Sequence, residues 1–169
     1  MLKFIGAGLL FLPPFLIGIF CSAKLSRRVL VLEQLVRFFC ALETEMKFTK
    51  ERIDVILRKL SGHENLSALT FIPAAVQKLP AIPLPLALCS AIEQSAEEML
   101  LSKDEAESLA AFCSALGSTD FDGQQKNIQL YNAEFLQYLH DARLQKDKKG
   151  GFYRTLGTLA GAAAAILVI

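Results

Sequence analysis

Tryptophan is missing from the 169-residue chain, and histidine occurs only at His63 and His140. The four cysteines, Cys21, Cys40, Cys89 and Cys113, form no C-x-x-C pair and have no histidine at metal-ligand spacing. These gaps speak against a zinc ribbon, a thioredoxin-like redox site and a Cys-His nucleophile pair. No P-loop, G-x-G-x-x-G or metal triad is present, so neither cofactor nor metal is expected. Charge of one sign is also lacking: 18 Lys and Arg face 17 Asp and Glu. Without a basic stripe, nothing calls for nucleic acid. Glycine at 10 and proline at 6 are too few for a collagenous or low-complexity chain. The cysteines are expected as small buried residues and the histidines as exposed ones.

What is abundant is apolar side chain, and the mean hydropathy of +0.38 exceeds what one soluble core of this size needs. The excess lies at the two ends. From Phe4 to Ala23 no residue is charged, with Lys3 and Lys24 as flanks, and about 20 apolar residues suffice to cross a bilayer. Pro13-Pro14 should kink that helix, which membrane spans tolerate. From Thr155 to Ile169 the chain is again uncharged, with Phe152 and Tyr153 as an interfacial aromatic pair. A cleaved lipoprotein signal is disfavoured because Phe20, not a small residue, precedes Cys21. Lys24, Arg27 and Arg28 follow the first span, and Lys146, Lys148, Lys149 and Arg154 precede the second. By the positive-inside rule the middle then faces the cytoplasm. The expected layout is a transmembrane helix over 1–23, a cytoplasmic bundle over 24–150 and a second transmembrane helix over 151–169.

The middle reads as helix throughout. Leu25, Val29, Leu32, Val36 and Phe39 keep helical spacing to about Phe48, with no breaker between them and the first span. A second helix is expected from a cap at Thr49 to Leu60. A third, weaker helix, interrupted or bent near Pro73, covers Leu66 to Leu79. Pro80, Pro83 and Pro85 mark a rigid connection to a fourth helix over Leu86 to Leu100. Ser102-Lys103-Asp104-Glu105 has the form of a capping box opening a fifth helix, and Gly117 suits its left-handed end. Thr119 or Asp120 can cap a sixth, which ends near Gly150-Gly151 or continues into the second span. The fold class is therefore all-α, a bundle of about six helices with a transmembrane helix at each end.

Charge is unevenly spread within the bundle. Lys24 to Leu60 holds nine basic and five acidic residues, whereas Ser90 to Ala142 holds two basic and ten acidic. The acidic half, with Glu97, Glu98, Glu105 and Glu107, is the candidate docking surface. Glu43 and Glu45 stand about 200° apart on a helix and cannot share a proton, while Glu43 can meet Lys47 at i+4. In the last span Gly157, Gly161 and Ala165 make a small-xxx-small stripe suited to close helix approach.

Three stretches carry a family resemblance: Leu42-Glu43-Thr44-Glu45-Met46, then Leu116-Gly117-x-x-Asp120-x-x-Gly123-Gln124-x-x-x-Ile128, then Tyr153-Arg154-x-Leu156-Gly157-x-Leu159-x-Gly161. In this order they resemble stage III sporulation protein AB of endospore-forming bacteria, with Glu43, Thr44, Glu45, Gly117, Asp120 and Gln124 among the matched positions. Pro13-Pro14 and the run Pro80 to Pro85 depart from that pattern. The resemblance implies a non-enzymatic scaffold in the mother cell membrane around the forespore, part of the channel between the two cells. Its cytoplasmic domain should be similar to that of the type II secretion platform protein. Implied partners are other stage III sporulation A-type membrane proteins and a secretion-type ATPase, stage III sporulation protein AA. The competing reading is a membrane-anchored helical enzyme or small-molecule-binding protein.

Overall fold

The computed structural model describes residues 2–166, and the side chains of 16, 17, 19–149, 151, 155 and 159. Its helices are α1 (Leu2–Thr49), α2 (Ile53–Leu60), α3 (Phe71–Lys78), α4 (Leu84–Ser95), α5 (Lys103–Ala115) and α6 (Phe121–Ile166), with a 3-10 turn at Glu64–Leu66. Among the described residues there is no strand. The chain divides into two compact units, residues 30–140 and residues 1–29 with 141–169.

In the first unit the core is aromatic at its centre. The Phe39 ring lies 4.9 Å from Phe112 of α5, 5.3 Å from Phe135 of α6 and 5.7 Å from Phe38. Phe38 in turn meets Phe71 of α3 edge-on at 5.8 Å. Neighbouring residues on one helix turn can thus hold three other helices, because Phe38 and Phe39 diverge by about 100° around the α1 axis. Leu32, Leu35 and Leu42 of α1 and Ile56, Leu57 and Leu60 of α2 complete the buried stripe that the periodicity predicts. Polar side chains fix the remaining pieces. Gln34 Oε1 accepts the Ala68 N–H at 2.7 Å, and Lys78 Nζ donates to Ser90 Oγ and Gln94 Oε1, fastening α3 to α4.

Several boundaries differ from expectation. Thr49 ends α1 instead of capping α2: its hydroxyl donates back to the Glu45 carbonyl at 2.8 Å, and Lys50 at φ 51 turns the chain. Pro73 does not bend α3. It occupies the first turn, where the missing N–H has no intrahelical partner to lose. The fourth helix begins earlier than expected, at Leu84, because Pro83 is its extended N-cap and Pro85 lies in its first turn. After Ser95 the chain continues in turns to Leu100, where Leu101 N–H bonds the Ala96 carbonyl and Leu100 N–H that of Glu97. This is a Schellman closure with leucine at φ 57 in the place glycine usually takes.

In the other unit, Arg28 Nη1 donates to Gln145 Oε1 at 3.4 Å, linking α1 and α6. Gly150-Gly151 does not stop α6, which runs on to Ile166. Among the described residues, no helix is long and apolar enough to cross a membrane. Most side chains of both expected spans, and Gly157, Gly161 and Ala165 with them, lie outside the described residues. Only Cys113 is a buried cysteine; Cys21 and Cys89 are half-buried and Cys40 is exposed, so one residue of four fits the expected role.

Candidate docking site

Glu43 sits on the face of α1 that meets α6. Its Oε1 accepts from Lys47 Nζ at 2.8 Å, from Gln129 Nε2 at 2.8 Å and from Gln125 Nε2 at 3.5 Å. The Lys47 and Gln129 hydrogen bonds hold its carboxyl below the usual value. Gln125 and Gln129 share one face of α6 at i,i+4, a spacing visible in the sequence, although nothing there pairs it with Glu43. Thr44 Oγ1 donates to the Cys40 carbonyl at 2.7 Å, and Glu45 lies 3.8 Å from Lys59 Nζ.

The second matched stretch builds the junction from α5 to α6. Gly117 has φ 85, which strains any side chain with a Cβ. Asp120 Oδ1 then accepts the Gly123 N–H at 3.1 Å as the cap of α6. A Cβ on Gly123 would fall 2.8 Å from that oxygen, so a side chain there would push Asp120 out of its cap position. Gln124, buried, donates from Nε2 to the Thr119 carbonyl at 3.2 Å. Met46, Phe121 and Ile128 line a small cleft with Glu43, so the first two motif stretches converge on one end of this unit. Of the third stretch only Leu159, exposed, and Thr155, whose hydroxyl donates to the Gly151 carbonyl at 3.0 Å, have described side chains.

Beside that junction opens a groove of about 650 Å³ lined by Arg52, Arg58, Ile82, Pro83, Leu116 and Ser118, among others. Charge pairing at this end is incomplete. Lys47 holds Glu43 at 2.8 Å, Arg52 holds Asp54 at 3.1 Å, and Lys59 holds Glu51 at 2.6 Å. Among the described residues, Lys50 and Arg58 have no carboxylate partner. Apolar surface is bare at its edge: Leu86, next to Pro85 of the lining, is 61% exposed. Two acids, Glu51 and Asp54, stand in the lining with Arg52 and Arg58, so it is the uncovered apolar side chains that make this groove a candidate docking surface. Charge counting alone missed this groove, because Glu51 and Asp54 balance Arg52 and Arg58 within its lining.

On the acidic half, Glu97, Glu98 and Glu107 are exposed. Glu105 is not: it is 1% exposed, its Oε2 accepting the Ser102 N–H at 2.7 Å while its own N–H bonds Ser102 Oγ at 3.3 Å. The capping box claims this carboxylate and removes it from the docking surface. His63 and His140 are exposed. Burial pushes the Cys89 and Cys113 thiols up, away from the thiolate form a nucleophile needs. Among the described residues, no group of three His, Cys, Asp or Glu side chains could hold a metal ion.

No curated protein and no solved structure matches the chain. The family model described as stage III sporulation protein AB does match, over residues 3–169. That span takes in all three motif stretches and all six helices, and the chain therefore belongs to the stage III sporulation protein AB family, with a role in stage III of sporulation.

Proposed function

We propose that the protein is a membrane-held helical scaffold of the sporulation apparatus, set in the mother cell membrane around the forespore. It joins a cytoplasmic secretion-type ATPase to other stage III sporulation A-type membrane proteins of the channel. The observation that carries this reading is the convergence of two family motif stretches on packing and capping contacts at one end of a helical unit, beside exposed docking surface. Residues spent on holding shape rather than on converging titratable groups suit a part that positions others. The apolar ends with their basic flanks support the membrane reading. Exposed Glu97, Glu98 and Glu107 supply a face for a basic partner.

Two measurements test it. Single cysteines near Ser61 and on an added C-terminal tail, labelled in intact cells, report topology; labelling near Ser61 from outside would sink it. Cross-linking in sporulating cells should join the chain to membrane proteins of the same apparatus or to the ATPase. Capture of neither would leave the scaffold reading without its partners.

A further inference from the structure

Cations gather where α1 and α6 adjoin the apolar ends of the chain. Residues 24–28 and 141–149 together hold seven basic side chains against two acidic ones, Asp141 and Asp147, a net of +5. Both stretches belong to the unit formed by residues 1–29 and 141–169. Within it, the Arg28 contact to Gln145 joins the last turn of the α1 part to the first turn of the α6 part. Two helices joined at those ends and packed together run antiparallel. Four residues back along α1 and four residues on along α6 therefore lead to the same level, about 6 Å from the contact along each axis. Lys24 and Lys149 stand there, each at i,i+4 from its contacting residue and so on the same helix face. Beyond them lie the uncharged runs Phe4 to Ala23 and Thr155 to Ile169.

Neither acid offsets this level. Asp141 lies one turn to the other side of the contact, and Asp147 stands about 200° around α6 from both Gln145 and Lys149. Lys24, Lys146, Lys148 and Lys149 are exposed and, among the described residues, in no ion pair. Arg27, Arg28 and Arg143 are engaged in contacts of their own. Like charges at one level of a helix pair repel, and an anion between them turns that cost into attraction. Position decides which anion. The level borders the two runs that the membrane reading places in the bilayer, which is the depth of the headgroups, and basic pockets between helices at that depth bind the phosphates of anionic lipids. We propose that Lys24 and Lys149, with Lys146 and Lys148 beside them, hold the phosphodiester of an anionic phospholipid across the α1 and α6 pair. The proposal rests on the membrane reading and adds a ligand to it. A topological bias needs only basic residues on one side of the bilayer, whereas this site needs Lys24 and Lys149 together.

The test uses the full chain in a neutral detergent with phosphatidylglycerol or phosphatidylcholine added, read by lipid retained per chain in native mass spectrometry and by melting. Phosphatidylglycerol should be retained in preference and should raise the melting temperature, and inorganic phosphate at the same concentration should leave melting unchanged. Lys24→Gln with Lys149→Gln should weaken phosphatidylglycerol retention at least about tenfold. In neutral detergent alone this double variant should melt no lower than the parent, since it loses only repulsion between exposed side chains. Arg58→Gln with Lys126→Gln removes as much charge from exposed positions of the other unit and should retain the lipid as the parent does. Equal retention of the two lipids, undiminished retention by the first variant, equal loss in both variants, or inorganic phosphate that stabilises as the lipid does would each overturn the proposal. A chain that stays folded and soluble without detergent would sink the membrane reading beneath it, whereas a membrane-held chain that treats the two lipids alike sinks the lipid site alone.

Discussion

At the start of α5, Ser102 and Glu105 exchange side-chain bonds with each other's backbone, and at the start of α6 Asp120 takes the Gly123 N–H. At the starts of α2, α3 and α4 the residues in the same position, Arg52, Thr70 and Pro83, make no side-chain cap bond. The first pair of helices is specified by a few consecutive residues. The other three begin where packing lets them begin, with Ile56 and Leu57, Phe71 and Ile72, and Leu88 and Ile92 buried against the rest. A cap contributes about 1 kcal/mol, while truncating a buried phenylalanine costs about 3–5 kcal/mol. Local residues therefore place a boundary, and the core decides whether the element exists.

The largest test of that difference is Phe39→Ala. It removes the ring that touches α5 and α6 together and should cost about 3–5 kcal/mol in chemical denaturation of the detergent-held chain. A loss below about 1 kcal/mol would mean the core does not hold these helices. Ser102→Ala should cost about 1 kcal/mol by the same measurement, whereas Arg52→Ala, at an uncapped start, should stay within about 0.5 kcal/mol. Equal losses would erase the distinction between the two kinds of helix start. Gly123→Ala should cost about as much as losing the α6 cap, about 1 kcal/mol, because the new methyl displaces Asp120. Smallest is the effect of acid on Glu43. Its folded pKa lies below 4.5, so it contributes stability above that value which is lost as pH falls through the lower folded one. Glu43→Gln should flatten that acid limb of a melting-against-pH curve, and an unchanged limb would show that the contacts to Lys47 and Gln129 contribute nothing.

Legibility in the sequence follows the same division. Ser102, Glu105, Gly117 and Asp120 were readable because each acts on atoms three residues away or fewer. Thr49, Pro73 and Pro85 behave otherwise than their local pattern suggests: a hydroxyl can bond forwards or backwards, and a proline can bend or break a helix or open it, and only the surrounding packing chooses. The Glu43 contact to Gln129 spans 86 residues, so no window reveals it. Glu105 shows the opposite failure. The S-x-x-E pattern already placed its carboxylate on the backbone, yet a tally of charges counted it as surface.

The two classes of contact also set an order in time. A capping box closes over three residues, whereas the pairing of Glu43 with Gln129 must first close a loop of 86, and closure entropy grows with the logarithm of loop length. The turn between α4 and α5 is thus expected to be structured in the folding transition state, and the seam between α1 and α6 to form after it. Ser102→Ala would then slow refolding, while Gln129→Ala would chiefly hasten unfolding, a contrast that stopped-flow measurements on the two variants can reverse or establish.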